Sequence, residues 1–197
     1  LHDSVDQHTS LAAGTGAEHF IGREDYCFGY KTQALFEADD YGWSKRRAEG
    51  VKHTVISGAD YAKIDPIYDG QFETIVQCHE HGRISDPGEY VRALADHFVE
   101  QGGTFIETAI NDITVDGGEI TSLSTDQGEM SADTILLAMG PWSKAIAHKL
   151  GVKVPFESER GYHIELVNPS AYPKNPMMVA AGLFVITPME GRIRAAG

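Results

Sequence analysis

The stretch "DTILLAMGPWSKAIAHKLG", residues 133–151, decides how the rest of the sequence is read. Ile135 to Ala138 form an unbroken apolar run, the pattern of a short strand covered on both faces. Gly140 then permits a sharp turn or the close approach of another group. Pro141 suits a first helical turn, where its missing N–H costs nothing. Trp142, Ala145, Ile146 and Leu150 continue as a helical stripe that Gly151 ends. A buried strand feeding a tight turn of small residues is where α/β sheets place ligands, although such a turn can equally be a plain connection.

Upstream, "DPGEYVRALADHFVEQGG" (86–103) predicts a capped helix: Asp86 as N-cap, Pro87 at the first helical position and Glu89 completing the capping pattern. Val91, Leu94, Ala95, Phe98 and Val99 give it one apolar face, and Gly102-Gly103 a stop. The period then changes to two. "TFIETAI" (104–110) reads as a strand, and turn signals at Asp116-Gly117-Gly118 and Asp126-Gln127-Gly128 predict a β-meander over 112–138.

Both flanks read differently. The first 20 residues show no clear period and suit a loop or a short frayed helix; 26–38 alternates like a strand, 39–50 is a polar helix closed by Gly50, and 51–58 is a strand. Ser57, with Asp60 three residues on, caps a further helix that Pro66 stops. After the helix at 141–150, residues 160–167 form a strand, 168–176 a Pro-rich loop, and 177–197 strands hinged at Gly182 and at Glu190-Gly191. The fold class expected is α+β. Residues 1–83 and 152–197 share one mostly antiparallel sheet, and 84–151 form an α/β portion with the meander.

Of the 197 residues, 42% are hydrophobic and 23% charged, the composition of a soluble globular protein. With 29 acidic residues against 16 basic ones the net charge is -13, which opposes binding to phosphate backbones and makes nucleic acid an unsuitable partner. An anionic substrate needs a local arginine to overcome that field. No apolar run approaches the roughly 20 residues of a transmembrane helix. No signal-peptide pattern is read at the start, and an opening Leu1 in place of Met suggests a piece of a longer protein. Cys27 and Cys78 lack metal or redox spacing and read as reduced thiols of a cytoplasmic protein.

Few motifs carry chemistry alone. "GTGAEH" (14–19) has the look of a phosphate loop, but no strand precedes it. "HEH" (79–81) offers two imidazoles without a third ligand at usable spacing. "ERGYHIELV" (159–167) sets Arg160, Tyr162 and His163 at the start of a strand, and "GRIRAAG" (191–197) puts Arg192 and Arg194 on one strand face. Arginine is the natural bidentate clamp for a carboxylate. Spacing alone leaves a solvated edge charge equally open for Arg160 and favours solvated edge charges for Arg192 and Arg194.

In combination these segments resemble the FAD-dependent D-amino-acid dehydrogenase and glycine/D-amino-acid oxidase family. The resemblance rests on "ADTILLAMGPWSKAIAHKLGVKVPFESERGYHIEL", on "ITPMEGRIRAAG", and on "GRISDPGEYVRALADHFVEQGGTFIETAI", covering about residues 50–197. It implies that 1–83 and 152–197 are two segments of a substrate domain and 84–151 part of an FAD-binding domain. It implies cofactor contacts at Ile110, Ala138, Met139, Gly140 and Trp142, with Gly140 leaving room for the dinucleotide. Arg194 or Arg192 becomes the carboxylate clamp, with Tyr162 and His163 lining the pocket. The reaction implied is transfer of the substrate's α-hydrogen as hydride to flavin, followed by hydrolysis of the imino acid. A quinone or electron carrier is the partner of a dehydrogenase, and the location is cytoplasmic or peripheral to the inner membrane. The family's Gly-x-Gly-x-x-Gly pyrophosphate loop is not matched, so this chain alone is expected to hold FAD weakly or not at all and to be inactive alone. Related alternatives are a flavoenzyme for sarcosine, dimethylglycine or a 2-hydroxy acid, and a flavin-free binding module of the same architecture.

Overall fold

The computed structural model describes residues 3–197; Leu1 and His2, the start of the expected loop or frayed helix, lie outside the described residues. The chain divides into two compact units, one comprising the chain through Gly103 together with Gly161–Gly197, the other Thr104–Arg160.

The first unit opens with α1 (Ser4–Ala12), strand β1 (Ile21–Tyr30), and helices α2 (Gln33–Ala38) and α3 (Asp40–Ala48). The strand expected over 26–38 thus begins earlier and gives way to α2, because Thr32 accepts a hydrogen bond from the Leu35 N–H and caps a helix there. Strand β2 (His53–Ser57) leads to α4 (Gly58–Ile64), then β3 (Thr74–Ile84) and α5 (Pro87–Glu100). The Ser57 cap is reciprocal: its Oγ accepts from the Asp60 N–H at 3.1 Å and donates to Asp60 Oδ2 at 2.7 Å.

The second unit contains β4 (Ile110–Asp116), β5 (Glu119–Thr125), β6 (Gly128–Met130) and α6 (Ser143–Lys149). The meander forms as expected, a three-stranded sheet ordered β4-β5-β6. Its first turn needs two left-handed residues, and Gly117 and Gly118 adopt φ of 58° and 88°. Two expected strands do not form. Residues 104–109 and 133–139 make no ladder, and Leu136 in the apolar run is 87% exposed. A strand exists only through a neighbour's ladder of hydrogen bonds. From other segments, residues 104–109 receive only the Asp126 N–H at the Ala109 carbonyl (3.2 Å) and the Gln127 side-chain amide at the Glu107 carbonyl (2.9 Å), and 133–139 pair with no strand among the described residues.

The remaining strands return to the first unit: β7 (His163–Val167), β8 (Met177–Val179), β9 (Phe184–Met189) and β10 (Arg192–Ala196). They complete a seven-stranded sheet, ordered β2-β3-β1-β8-β9-β10-β7, in which only β1 and β8 run parallel. Both flanks therefore share one mostly antiparallel sheet. One face packs Cys27, Ile75 and Met177 against Tyr61, Tyr68 and Phe72; the other packs Tyr30, Val76 and Cys78 against Trp43. Both cysteines are buried and unpaired; burial pushes the Cys27 thiol up to about 12 and that of Cys78 to about 11.

The units part at 103/104 and 160/161, whereas the sequence reading parts them at 83/84 and 151/152. Helix α5 accounts for the first of these shifts. It buries Tyr90 with Ala12, Ala17 and Phe20, adds Ala93 and Leu94 to that cluster, and joins Tyr90 Oη to His8 Nδ1 at 3.0 Å. Val91, Phe98 and Val99 of the expected apolar face are exposed instead. The helix carries two overlapping apolar stripes, and docking on α1 selects the one through Tyr90.

Asp86 caps α5 by accepting from the N–H groups of Gly88 (3.1 Å) and Glu89 (3.2 Å), and it receives Arg192 Nη1 from β10 at 3.0 Å. Glu89 pairs with Arg92 instead of closing the capping box. The Arg192 guanidinium, helped by the Glu89 N–H, holds the Asp86 carboxyl below its ordinary value. A depressed carboxylate stabilises above its unfolded pKa of about 3.9 and loses that contribution as pH falls through the lower folded value. Asp86→Asn should therefore lower stability at neutral pH, with the deficit shrinking below about pH 4; Asp86→Ala should cost roughly 1 kcal/mol more through the lost cap. Denaturant melts of the full-length protein at pH 7 and pH 3 check both.

Candidate active site

Residues paired across a ladder share a face, so the register assigns every sheet side chain. Phe28, Met178, Val185, Ala196 and His163 form one row across β1, β8, β9, β10 and β7. Thr187, Arg194 and Glu165 form the adjacent row on the same face, and Arg192 lies one step beyond Arg194. Tyr162 extends the β7–β10 ladder by exchanging hydrogen bonds with Gly197 (3.2 and 3.1 Å). As His163's neighbour it stands on the opposite face from Arg194, 72% exposed. Strand alternation thus brings Arg192, Arg194 and His163 together and sends Tyr162 away.

The two arginines differ in what surrounds them. Arg192 is committed: besides Asp86, its Nε lies 3.4 Å from Glu165 Oε1 and its Nη1 donates to the Glu190 carbonyl at 3.4 Å. Asp86 raises the guanidinium pKa above its ordinary value. Glu165, directly opposite Arg194 in the ladder, thus turns to Arg192 instead. Arg194 has no carboxylate partner among the described residues, and its Nε is enclosed without a hydrogen-bond partner.

On the same face, where α2 and α3 cover the sheet, lies a pocket of about 470 Å³. Phe28, Tyr30, Leu35, Met178, Ala180 and Leu183 supply most of its wall, with Asp39 and Arg46 at its polar side. Trp43 Nε1 donates to Tyr30 Oη at 2.7 Å, and the Tyr30 hydroxyl donates to Asp39 Oδ2 at 2.6 Å. Burial, reinforced by Asp39, raises the Tyr30 pKa well above the usual phenol range. The Arg46 guanidinium stacks 4.8 Å from the ring centres of both Phe28 and Trp43. The pocket is not legible in the sequence, because its walls come from segments about 150 residues apart that meet only through sheet pairing.

The expected cofactor residues all lie in the second unit. Ile110 begins β4 opposite Thr125; Met139 N–H donates to Ser143 Oγ at 3.1 Å; Gly140–Trp142 form a single 3-10 turn, with Trp142 79% exposed. Gly140 adopts φ 55°, and a side chain added there would meet nothing within 4 Å. The positive φ accounts for a glycine at the sharp turn, the first of the two readings the sequence offered.

The family described as FAD dependent oxidoreductase matches residues 10–197. The chain belongs to that family. A D-amino-acid oxidase of Bradyrhizobium diazoefficiens is 28% identical over 100% of this chain and 47% of its own length. A D-amino acid dehydrogenase of Rhizobium rhizogenes is 26% identical over 95% of this chain and 46% of its own length. Among solved structures, a glycine oxidase from Bacillus cereus superposes with a TM-score of 0.76 at 18% identity, over 98% of this chain and 53% of that one. The chain spans about half the length of the curated relatives it matches.

Members of this oxidoreductase family use FAD, and the Gly14-Thr15-Gly16 turn does not have the setting that its phosphates require. Pyrophosphate sits on a Gly-rich turn between a strand and a helix N-terminus. The Gly14-Thr15-Gly16 turn instead follows a helix, and the Glu18 carboxylate accepts its Gly14 N–H at 2.6 Å, filling the position an anion would take. Among the described residues no His, Cys, Asp and Glu cluster could hold a metal ion, and no helix is long and apolar enough to cross a membrane.

The contrast between the arginines predicts opposite stability effects. Arg192→Ala should destabilise by about 1–2 kcal/mol, since it strands Asp86 at a helix terminus. Arg194→Ala should change stability by less than about 0.5 kcal/mol. Urea denaturation of the full-length variants measures both, and equal losses would contradict the division of roles.

Proposed function

We propose that the whole protein oxidatively deaminates D-amino acids or glycine with FAD as its cofactor, and that Arg194 holds the substrate carboxylate. In this reading the seven-stranded unit is the substrate-binding portion and Thr104–Arg160 part of the FAD-binding portion, with Ile110 and the 138–142 turn on the cofactor's side. The single observation carrying the site assignment is that Arg194 has no carboxylate partner among the described residues while Arg192 beside it is ion-paired with Asp86 and Glu165. In a chain of net charge -13, an anion is held only where a cation is locally uncompensated. His163, one row from Arg194 on the same face, flanks the bound molecule. The acidic field at large disfavours other orientations of the carboxylate, so one arginine fixes which end of the substrate points inward. A quinone or electron carrier as final acceptor, in the cytoplasm or at the inner-membrane surface, completes the proposal.

Arg194→Lys replaces a planar fork by a point charge. A charged hydrogen bond is worth about 1.5–3 kcal/mol, so the KM for the amino acid should rise roughly ten- to a hundredfold, with melting behaviour unchanged. Steady-state kinetics of the flavin-loaded, full-length protein provide the check. An unchanged KM removes Arg194 from the role and leaves Arg160 as the next candidate.

A further inference from the structure

We infer that the pocket between β1, β8 and helices α2 and α3 receives the substrate's side chain, which makes the preferred substrate a D-amino acid with a bulky apolar or aromatic side chain. This rests on the reading that Arg194 holds the carboxylate. Met178 pairs with Val185, and Val185 with Ala196, two residues along β10 from Arg194. Two strand spacings and two residues separate their Cα atoms by roughly 12 Å on one face, a gap the long arginine side chain and the substrate backbone span together. A carboxylate held at Arg194 can therefore send its side chain towards Met178 and Phe28.

The chemistry of the wall selects the occupant. The volume of about 470 Å³ falls within the range of small-molecule sites, about 300–1,000 Å³. The polar groups there are already engaged: the Tyr30 hydroxyl with Asp39, the Trp43 N–H with Tyr30, and Arg46 stacked on Phe28 and Trp43. Asp39 and Arg46 balance each other's charge on the same side, so neither an acidic nor a basic side chain is favoured. What the pocket still offers is apolar surface.

Leu183 supplies an independent observation. It adopts φ 52°, a left-handed conformation costly for a leucine, and stands 79% exposed at the rim. A large apolar side chain kept in a strained backbone and left in water is explained by an occupant that covers it. Leu35 forms the rim opposite, on α2, and is also exposed.

The test uses the full-length, flavin-loaded protein with glycine, D-alanine, D-leucine and D-phenylalanine, reading flavin reduction and steady-state kcat/KM. The wild type should favour D-leucine and D-phenylalanine over glycine at least tenfold. Ala180→Trp, which fills the pocket, should lower kcat/KM for the bulky substrates at least tenfold and change that for glycine and D-alanine less than threefold. Leu183→Gly removes the rim and relieves the positive φ, so it folds at least as well as the wild type and should lower kcat/KM for the bulky pair about three- to tenfold. Preference for glycine in the wild type, or equal changes for small and bulky substrates in Leu183→Gly, would overturn the inference. Failure of all four amino acids to reduce the flavin would instead overturn the proposed function beneath it.

Discussion

The parallel pairing of β1 with β8 is the contact on which the larger unit depends. Cys27, Phe28 and Gly29 lie beside Met177, Met178 and Val179, and the Cys27 N–H donates to the Pro176 carbonyl at 2.9 Å. All other pairings in that sheet are antiparallel and join strands of one flank to each other, β2 and β3 with β1, and β9, β10 and β7 beyond β8. Without this three-residue seam there would be two small sheets, each with a bare edge. The seam also completes a core, since Met177 packs with Cys27, Tyr61, Phe72 and Ile75 on one side. On the other it sets Met178 beside Phe28 and so creates the pocket. Closing so long a connection is entropically costly, and the buried aromatic and sulfur side chains on both faces are what offset it.

Local signals in the sequence foretold local structure well. The reciprocal Ser57–Asp60 cap, the Asp86 cap with Pro87 behind it, and the glycine turn of the meander each depend on a few adjacent residues, so the pattern contains all of the physics. The period of each flank indicated antiparallel sheet, and the family resemblance joined the two flanks in one domain. The misreadings have one cause, a dependence on what lies elsewhere in space. Residues 26–38 alternate enough to suggest a strand, yet Thr32 can cap a helix, and α2 packs Phe36 onto Tyr30 and Trp43. Helix α5 offers two apolar stripes, and only the location of α1 chooses between them. The run Ile135–Ala138 has the composition of a buried strand, but composition cannot supply the neighbouring strands that would make it one.

The candidate site shows the same limit more sharply. Alternation put Arg192 and Arg194 on one face, and the structure agrees. It could not say that Asp86, more than 100 residues earlier, would accept one of them. Nor could it place Tyr162 on the far face, because the phase of a strand is set by its partner, here by Gly197 opposite Tyr162. Next to the pocket, only the hinge at Gly182 was legible. That hinge precedes the left-handed Leu183, whose strain no sequence pattern of a leucine reports.

The pairing of Arg192 and the isolation of Arg194 are two sides of one arrangement. An arginine clamp for a carboxylate has to be kept from the protein's own carboxylates, and this chain has 29 acidic residues to keep away. Glu165 is the nearest hazard, being directly across the ladder from Arg194. Arg192 draws it off: Nε faces Glu165 while Nη1 holds Asp86. A second arginine two residues from the first thus leaves Arg194 without a carboxylate partner, and one of the two carboxylates it holds, Asp86, also caps α5. Two arginines at i and i+2 on one strand face repel each other, which makes the spacing costly for stability alone. Under the proposed function the spacing becomes intelligible, one charge being structural and the other reserved for the substrate carboxylate.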